Sequence, residues 1–285
     1  MQTVSEEITS KENQYIKLAK SLHQKKERNE LNMFLIEGKN LLEEALKRGV
    51  EVKYVFYDDA ETLKNLNPQL QFSTESFLIE KDLLGKIATT ENPPPVVAIA
   101  QKPSMTDFVI NREASQLELN LQNSQTPKTQ TSDIYLFCEN VQDPGNLGSI
   151  IRTALAAGVK SIYLSETCVD IYNPKLIRSS MGAIFCGAIN YINLDELISK
   201  LKTRSQEENK NLEIIGTSSH ARTSYKDIQL NPFKNALVIV GNEAHGMSKH
   251  AEDQCSQLVS IPLANDIESL NVLSATSIIL FSLNR

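Results

Sequence analysis

The chain has 285 residues, 41% of them hydrophobic and 22% charged, with a formal net charge of −6. That length leaves room for more than one domain and a sizeable core, and the negative balance excludes a protein that coats nucleic acid by charge alone, though not one with a local basic face. The first residues, Met1-Gln-Thr-Val-Ser-Glu-Glu, are polar and acidic and no apolar run is long enough to span a bilayer, so a soluble cytoplasmic protein without membrane attachment is expected.

In chain order, a helix is expected to open near Thr9 or Ser10 and to carry the basic run Lys17 to Arg28, either as a solvated face or as a local basic face for nucleic acid. Strand-like Met33 to Ile36 leads through Gly38 into a helix from Asn40 to Arg48, where Leu41, Leu42, Ala45 and Leu46 recur with helical spacing. Strand Val52 to Tyr57, a helix from Asp59 to Leu66, strand Ser76 to Ile79, a helix from Lys81 to Ile87 and strand Val96 to Ala100 complete a small α/β unit. Residues 102–132 then turn polar, rich in Ser, Gln, Asn and Thr, and read as a linker. Beyond it come strand Ile134 to Cys138, a helix from about Asn146 to Ala157 ended by Gly158, strand Ser161 to Leu164 and a helix from Pro174 to Met181. A helix from Leu194 to Leu201, strands Leu212 to Thr217, Ala236 to Val240 and Leu258 to Ile261, and a closing helix from about Leu270 to Leu283 follow. Such alternation implies a mostly parallel sheet with helices on both faces. Cys138, Cys168, Cys186 and Cys255, with four scattered histidines, lack metal-type spacing, so buried thiols in a reducing compartment and no metal are expected.

Three segments carry more polar and turn-forming residues than plain connections need. Each follows a strand, and ligands of parallel α/β sheets sit at the carboxyl ends of strands. In Asn140-Val-Gln-Asp-Pro-Gly-Asn-Leu-Gly-Ser-Ile-Ile-Arg152, Gly148 opens a helix whose amides suit an anion, and Arg152 lies one turn further on. A cation near a helix N-terminus gains nothing from the macrodipole, which points to a phosphate or acidic partner; the alternative is a salt bridge to Asp143. In Val240-Gly-Asn-Glu-Ala-His-Gly-Met-Ser248, Gly241 and Gly246 let backbone approach a ligand, with Glu243 supplying charge or a hydrogen bond, or acting only as a helix N-terminal acid. His245 reads as an exposed loop residue. In Ile261-Pro-Leu-Ala-Asn-Asp-Ile-Glu-Ser-Leu-Asn271, Ser269 is the natural N-cap of the closing helix.

Together, in order, spacing and placement, these segments resemble the three motifs of the SpoU-type RNA ribose 2′-O-methyltransferases of the SPOUT superfamily. The resemblance covers nearly the whole chain: residues 133–285 resemble the methyltransferase domain, and residues 8–101, with Phe34-Leu-Ile-Glu-Gly38, the small RNA-binding domain before it, similar to the ribosomal-protein L30e and L7Ae type. It implies an α/β fold threaded into a trefoil knot, an exception to the rule that chains do not thread loops. It also implies S-adenosylmethionine as methyl donor, lined by Val240, Gly241, Gly246, Ile261, Leu263 and Leu270, with Asn140, Arg152, Glu243, Ser269 and Asn271 as polar active-site positions. A homodimer, packed through the apolar closing helix, and an rRNA substrate are implied as well. A tRNA substrate, or an RNA-binding assembly factor without turnover, are the alternatives; a dinucleotide-dependent dehydrogenase is disfavoured because its glycine pattern is missing. Asn265 stands where the family commonly has Gly, and Asn is the side chain that best tolerates positive φ.

Overall fold

The computed structural model describes residues 6–59, 61–62, 70, 73–103, 132–228, 230, 233–265 and 267–283. Its elements begin with β1 (Glu6–Ile8), α1 (Gln14–Ser21), α2 (Lys25–Glu30), β2 (Met33–Glu37), α3 (Lys39–Lys47), β3 (Val52–Tyr57), β4 (Glu75–Ile79), α4 (Lys81–Ile87) and β5 (Val96–Gln101). They continue with β6 (Ile134–Cys138), α5 (Pro144–Ala156), β7 (Ser161–Leu164), α6 (Pro174–Ser180), β8 (Ile189–Tyr191), α7 (Leu194–Glu207) and β9 (Asn211–Thr217). The last are β10 (Thr223–Ser224), β11 (Lys234–Val240), α8 (Lys249–Gln254), β12 (Gln257–Ser260) and α9 (Val272–Leu283). The helix expected from Asp59 to Leu66 and nearly all of the linker expected at 102–132 lie outside the described residues.

Two compact units form, one comprising Met1–Ala114 and Asp170–Cys186, the other Ser115–Val169 and Gly187–Arg285. The first is built on a five-stranded mixed sheet in the order β1-β4-β3-β5-β2. Ile16, Ala19 and Leu22 of the α1 region and Leu83, Leu84 and Ile87 of α4 pack with Leu35, Phe56, Phe77 and Ile99 on one side of it. The single basic helix expected from Thr9 or Ser10 is instead two helices. Asn13 caps the first, its side chain accepting from the Tyr15 N–H at 2.8 Å, so the helix starts later. The chain then breaks after Leu22, because Arg28 turns inward: its Nη1 donates to the carbonyls of Leu22 and His23, both at 2.8 Å, where α1 runs out of partners. Its Nε and Nη2 meet Asp170 at 2.8 and 2.7 Å, and only 2% of the residue is exposed. Arg28 is therefore removed from any basic surface, against its reading as part of an exposed basic run.

The segment Asp170–Cys186, within the stretch 133–285 that resembles the methyltransferase domain, packs in this unit. Arg178 of α6 lies 3.0 Å from Glu37 Oε2, a contact of charge without an aligned hydrogen bond, and donates to Thr89 Oγ1 at 2.6 Å. Glu37 Oε1 accepts from the Thr89 N–H and hydroxyl. Tyr172 packs its ring 4.9 Å from that of Phe34. A segment with this many polar groups needs these partners to be buried at all.

The second unit holds a seven-stranded, wholly parallel sheet in the order β10-β12-β9-β11-β6-β7-β8. Apolar runs such as Ile134–Cys138 and Ala236–Val240 pair residue for residue, as suits strands covered on both faces. Tyr135, Phe137, Leu237 and Ile239 face Leu194, Leu197, Ile198 and Leu201 of α7, while α9 packs on α5 and against β11. Short edge strands β8 and β10 and helix α8, capped by Ser248 Oγ, carried too few residues to be read from sequence. All four cysteines are free; Cys138 and Cys168 are buried, but Cys186 and Cys255 only half so. Among the described residues no helix is long and apolar enough to cross a membrane, and no cluster of His, Cys, Asp and Glu could hold a metal.

Candidate active site

The three polar segments leave the carboxyl ends of β6, β11 and β12, strands of one parallel sheet, so they emerge on the same side of it. At the end of β6, Glu139 accepts from the Ser248 N–H and hydroxyl, both at 2.7 Å, tying the first segment to the second. Asn140 adopts φ 53, a left-handed conformation that asparagine tolerates better than most side chains. Its N–H donates to Ser165 Oγ at 2.9 Å, its carbonyl accepts from Asn242 Nδ2 at 2.8 Å, and its Oδ1 accepts from Gln142 Nε2 at 2.7 Å. Gln142 Nε2 also reaches the Thr167 carbonyl. Asp143 caps α5 by accepting from the Asn146 N–H at 2.8 Å, with Pro144 in the first turn.

Helix α5 begins at Pro144, before the expected start, which places Arg152 past its middle. The expectation of a cation near the N-terminal end is corrected accordingly, and the macrodipole no longer bears on it. Arg152 is exposed and, among the described residues, has no ion-pair partner; Asp143 serves as the cap.

The second segment is a tight loop in which Asn242 and Gly246 exchange backbone hydrogen bonds of 2.9 Å. A Cβ added to Gly241 would stand 2.2 Å from the Gly246 carbonyl carbon, and Gly246 has φ 70, so neither position suits a larger residue. Gly241→Ala is expected to lower unfolding stability by about 1–3 kcal/mol, read in urea; an unchanged midpoint would show that the loop yields freely. Glu243 is exposed, and its carboxylate lies at the amino end of α5, accepting from Asn146 Nδ2 at 3.1 Å and, more loosely, from the Asp143 and Gln142 N–H groups at 3.4 and 3.5 Å.

In the third segment Asn265 takes φ 58, so the turn expected of a glycine survives with asparagine in its place. The closing helix begins at Val272, and its cap is Asn271, whose Oδ1 accepts from the Leu273 N–H at 2.8 Å. Ser269, the expected cap, is exposed and lies ahead of the helix. Asn271 Nδ2 also donates to Asn146 Oδ1 at 3.2 Å. Asn271, Asn146 and Glu243 thus join the three segments.

Beside this junction lies a cavity of about 700 Å³. Of the expected cofactor positions, Gly241, Gly246, Ile261, Leu263 and Leu270 line it, as do Glu243 and Ser269. Val240 does not; it is 1% exposed and its carbonyl is held by the Glu139 N–H at 2.8 Å. Asn140, Arg152 and Asn271 also lie outside the lining. Thr217, Ser218 and His220, at the end of β9, line it without having been singled out, since nothing marks them in sequence beyond the end of a strand. Asn146 and Asn242 were likewise missed; each sits inside a motif, but their bonds join residues about a hundred positions apart.

The model of the SpoU rRNA Methylase family matches residues 133–281, and that of an MRM3-like substrate binding domain matches residues 13–98. The 23S rRNA (guanosine(2553)-2′-O)-methyltransferase RlmP of Bacillus subtilis is 30% identical over 277 residues, 97% of this chain and 98% of the relative. A 23S rRNA (uridine(2479)-2′-O)-methyltransferase of Streptomyces viridochromogenes is 28% identical over 278 residues, 96% and 90% of the two chains. Among solved structures, the AdoMet-bound rRNA methyltransferase of Sinorhizobium meliloti superposes with a TM-score of 0.76 at 26% identity, covering 98% of this chain and 97% of that one.

Proposed function

This chain belongs to the SpoU rRNA methylase family, and on that premise we propose that it transfers a methyl group from S-adenosylmethionine to a ribose 2′-hydroxyl of large-subunit rRNA. The observation that carries the reading is the meeting of three segments, distant in sequence, at one cavity on the carboxyl side of a parallel sheet. At about 700 Å³ the cavity is of the size that holds a nucleoside-sized ligand. Its lining fits such a group: the Gly241–Gly246 loop is too tight for any side chain at Gly241 and presents backbone there, and Ile261, Leu263 and Leu270 offer apolar walls. These residues would hold the cofactor, with Val240 supporting the loop from the strand beneath.

When bound, S-adenosylmethionine supplies an electrophilic methyl group on a sulfonium. The protein's task is to place a weakly nucleophilic hydroxyl in line with it. Arg152, exposed and without an ion-pair partner among the described residues, is the group assigned to hold the hydroxyl and the neighbouring phosphate. A guanidinium gives up its proton too reluctantly to serve as a base, so Arg152 acts as donor and counter-charge. Asn140, Ser269 and Asn271 supply hydrogen bonds that fix geometry, and Glu243 orients Asn146 at the start of α5.

The rRNA assignment is supported by the relatives' names over nearly the whole chain length. Because those two act on a guanosine and a uridine, the family does not dictate which base is carried by the methylated nucleotide. We also assign a homodimer and a cytoplasmic location; for the dimer, the support is α9, an apolar helix whose Phe281 remains 51% exposed. Methyl transfer from labelled S-adenosylmethionine to 23S rRNA and, separately, to tRNA tests the reading. Label confined to one ribose of 23S rRNA is expected. Label in tRNA alone would move the substrate class, and none in either, with the cofactor bound, would leave an RNA-binding factor.

A further inference from the structure

Among the described residues, the charged side chains lining the cavity are all carboxylates apart from its histidines: Glu243, Glu252 and Glu268, with no lysine or arginine. Two of the three are engaged elsewhere. Glu243 is held by the amides at the start of α5 and by Asn146, and Glu252 lies 3.6 Å from Lys249 Nζ. Glu268 has no ion-pair or hydrogen-bond partner among the described residues. It precedes Ser269 and Leu270 on the same cavity wall.

Methyl transfer changes the charge of what occupies this cavity. The C–S bond to the methyl group breaks, an O–C bond to the ribose forms, the hydroxyl proton is released, and the sulfonium becomes a neutral thioether. The departing S-adenosylhomocysteine therefore carries one positive charge fewer than the methyl donor that entered. A carboxylate with no protein partner among the described residues attracts the cation without giving up an existing ion pair. Apolar walls and backbone amides, by contrast, bind both ligands alike.

We propose that Glu268 is a specificity-determining residue that makes the cavity favour the cationic methyl donor over its neutral product, so that the charge lost in the reaction weakens the product's hold. The proposal rests on the cofactor reading of the cavity above. Glu268 is exposed, so water screens the attraction and a modest effect is expected rather than the large one of a buried pair.

The test is calorimetric titration of the full chain with S-adenosylmethionine and with S-adenosylhomocysteine, for the wild type and for Glu268→Gln, which keeps the side chain's size. The Kd for S-adenosylmethionine is expected to rise about threefold to tenfold in the variant while that for S-adenosylhomocysteine changes less than about twofold. Glu268→Asp should keep most of the preference. Equal weakening of both ligands would reduce Glu268 to a structural residue and overturn the proposal, as would an unchanged ratio. Wild-type protein that binds neither ligand would instead bring down the cofactor reading itself.

Discussion

Arg152→Ala is expected to reduce kcat/KM for methyl transfer about a hundredfold to a thousandfold, the range seen when one pre-positioned donor is lost from a reacting oxyanion. Its fold and its affinity for S-adenosylmethionine should stay unchanged. The rate loss follows from the role assigned to Arg152 above, and the unchanged fold and affinity from where it sits: exposed on α5, without an ion-pair partner among the described residues, and outside the lining of the cavity. Arg152→Lys keeps the charge but not the planar fork that grips phosphate and hydroxyl together, so it should recover only a small part of the rate. Steady-state kinetics on 23S rRNA, with cofactor titration and circular dichroism on the same preparations, separate these effects. Full activity in the alanine variant would take the hydroxyl-orienting role away from Arg152.

Arg28→Ala is expected to cost about 3–5 kcal/mol, since removing one partner leaves a buried charge uncompensated. The Asp170 carboxylate would lose two contacts, at 2.8 and 2.7 Å, and keep the hydrogen bond from the Tyr172 N–H at 3.1 Å. The carbonyls of Leu22 and His23 would lose their donor in the same step. Arg28→Met combined with Asp170→Leu, similar in volume and uncharged, should be far milder than either single change, because no buried charge is stranded. Urea unfolding of the four proteins measures the coupling. Additive costs would mean that the two side chains do not act as a pair.

This pair also shows where sequence patterns run out. Strands such as Ile134–Cys138 and Ser161–Leu164 were legible as short runs buried almost throughout, and helix α7, with Leu194, Leu197, Ile198 and Leu201, because its burial repeats with the helical period. Arg28 was misplaced because a basic residue in a basic run gives no local sign of a partner 142 positions away. The α9 cap moved from Ser269 to Asn271 for a related reason: both side chains favour caps, and the choice was settled by Asn146, which only the fold brings near. At the site, the motif segments and the left-handed turn at Asn265 could be read from residue type, as could the tight glycine approach at Gly241. The contributions of β9 and Asn242, and the exclusion of Val240 from the cavity wall, depend on how strands lie side by side.

The junction of Asn271, Asn146 and Glu243 has a polarity. At one end stands the Leu273 N–H, which can only donate, and at the other a carboxylate, which when ionised can only accept. Asn271 must therefore turn its oxygen toward the helix and its amide nitrogen toward Asn146, and Asn146 must repeat that orientation toward Glu243. Neither amide can flip alone, and an aspartate at either position would set acceptor against acceptor somewhere along the line. The relay closes only when the third segment has reached the first across 125 residues, an encounter that loop entropy makes slow. Its completion is thus a chemical signature of a finished fold: a chain with this unit incompletely wound would carry the same residues without the aligned row of amides.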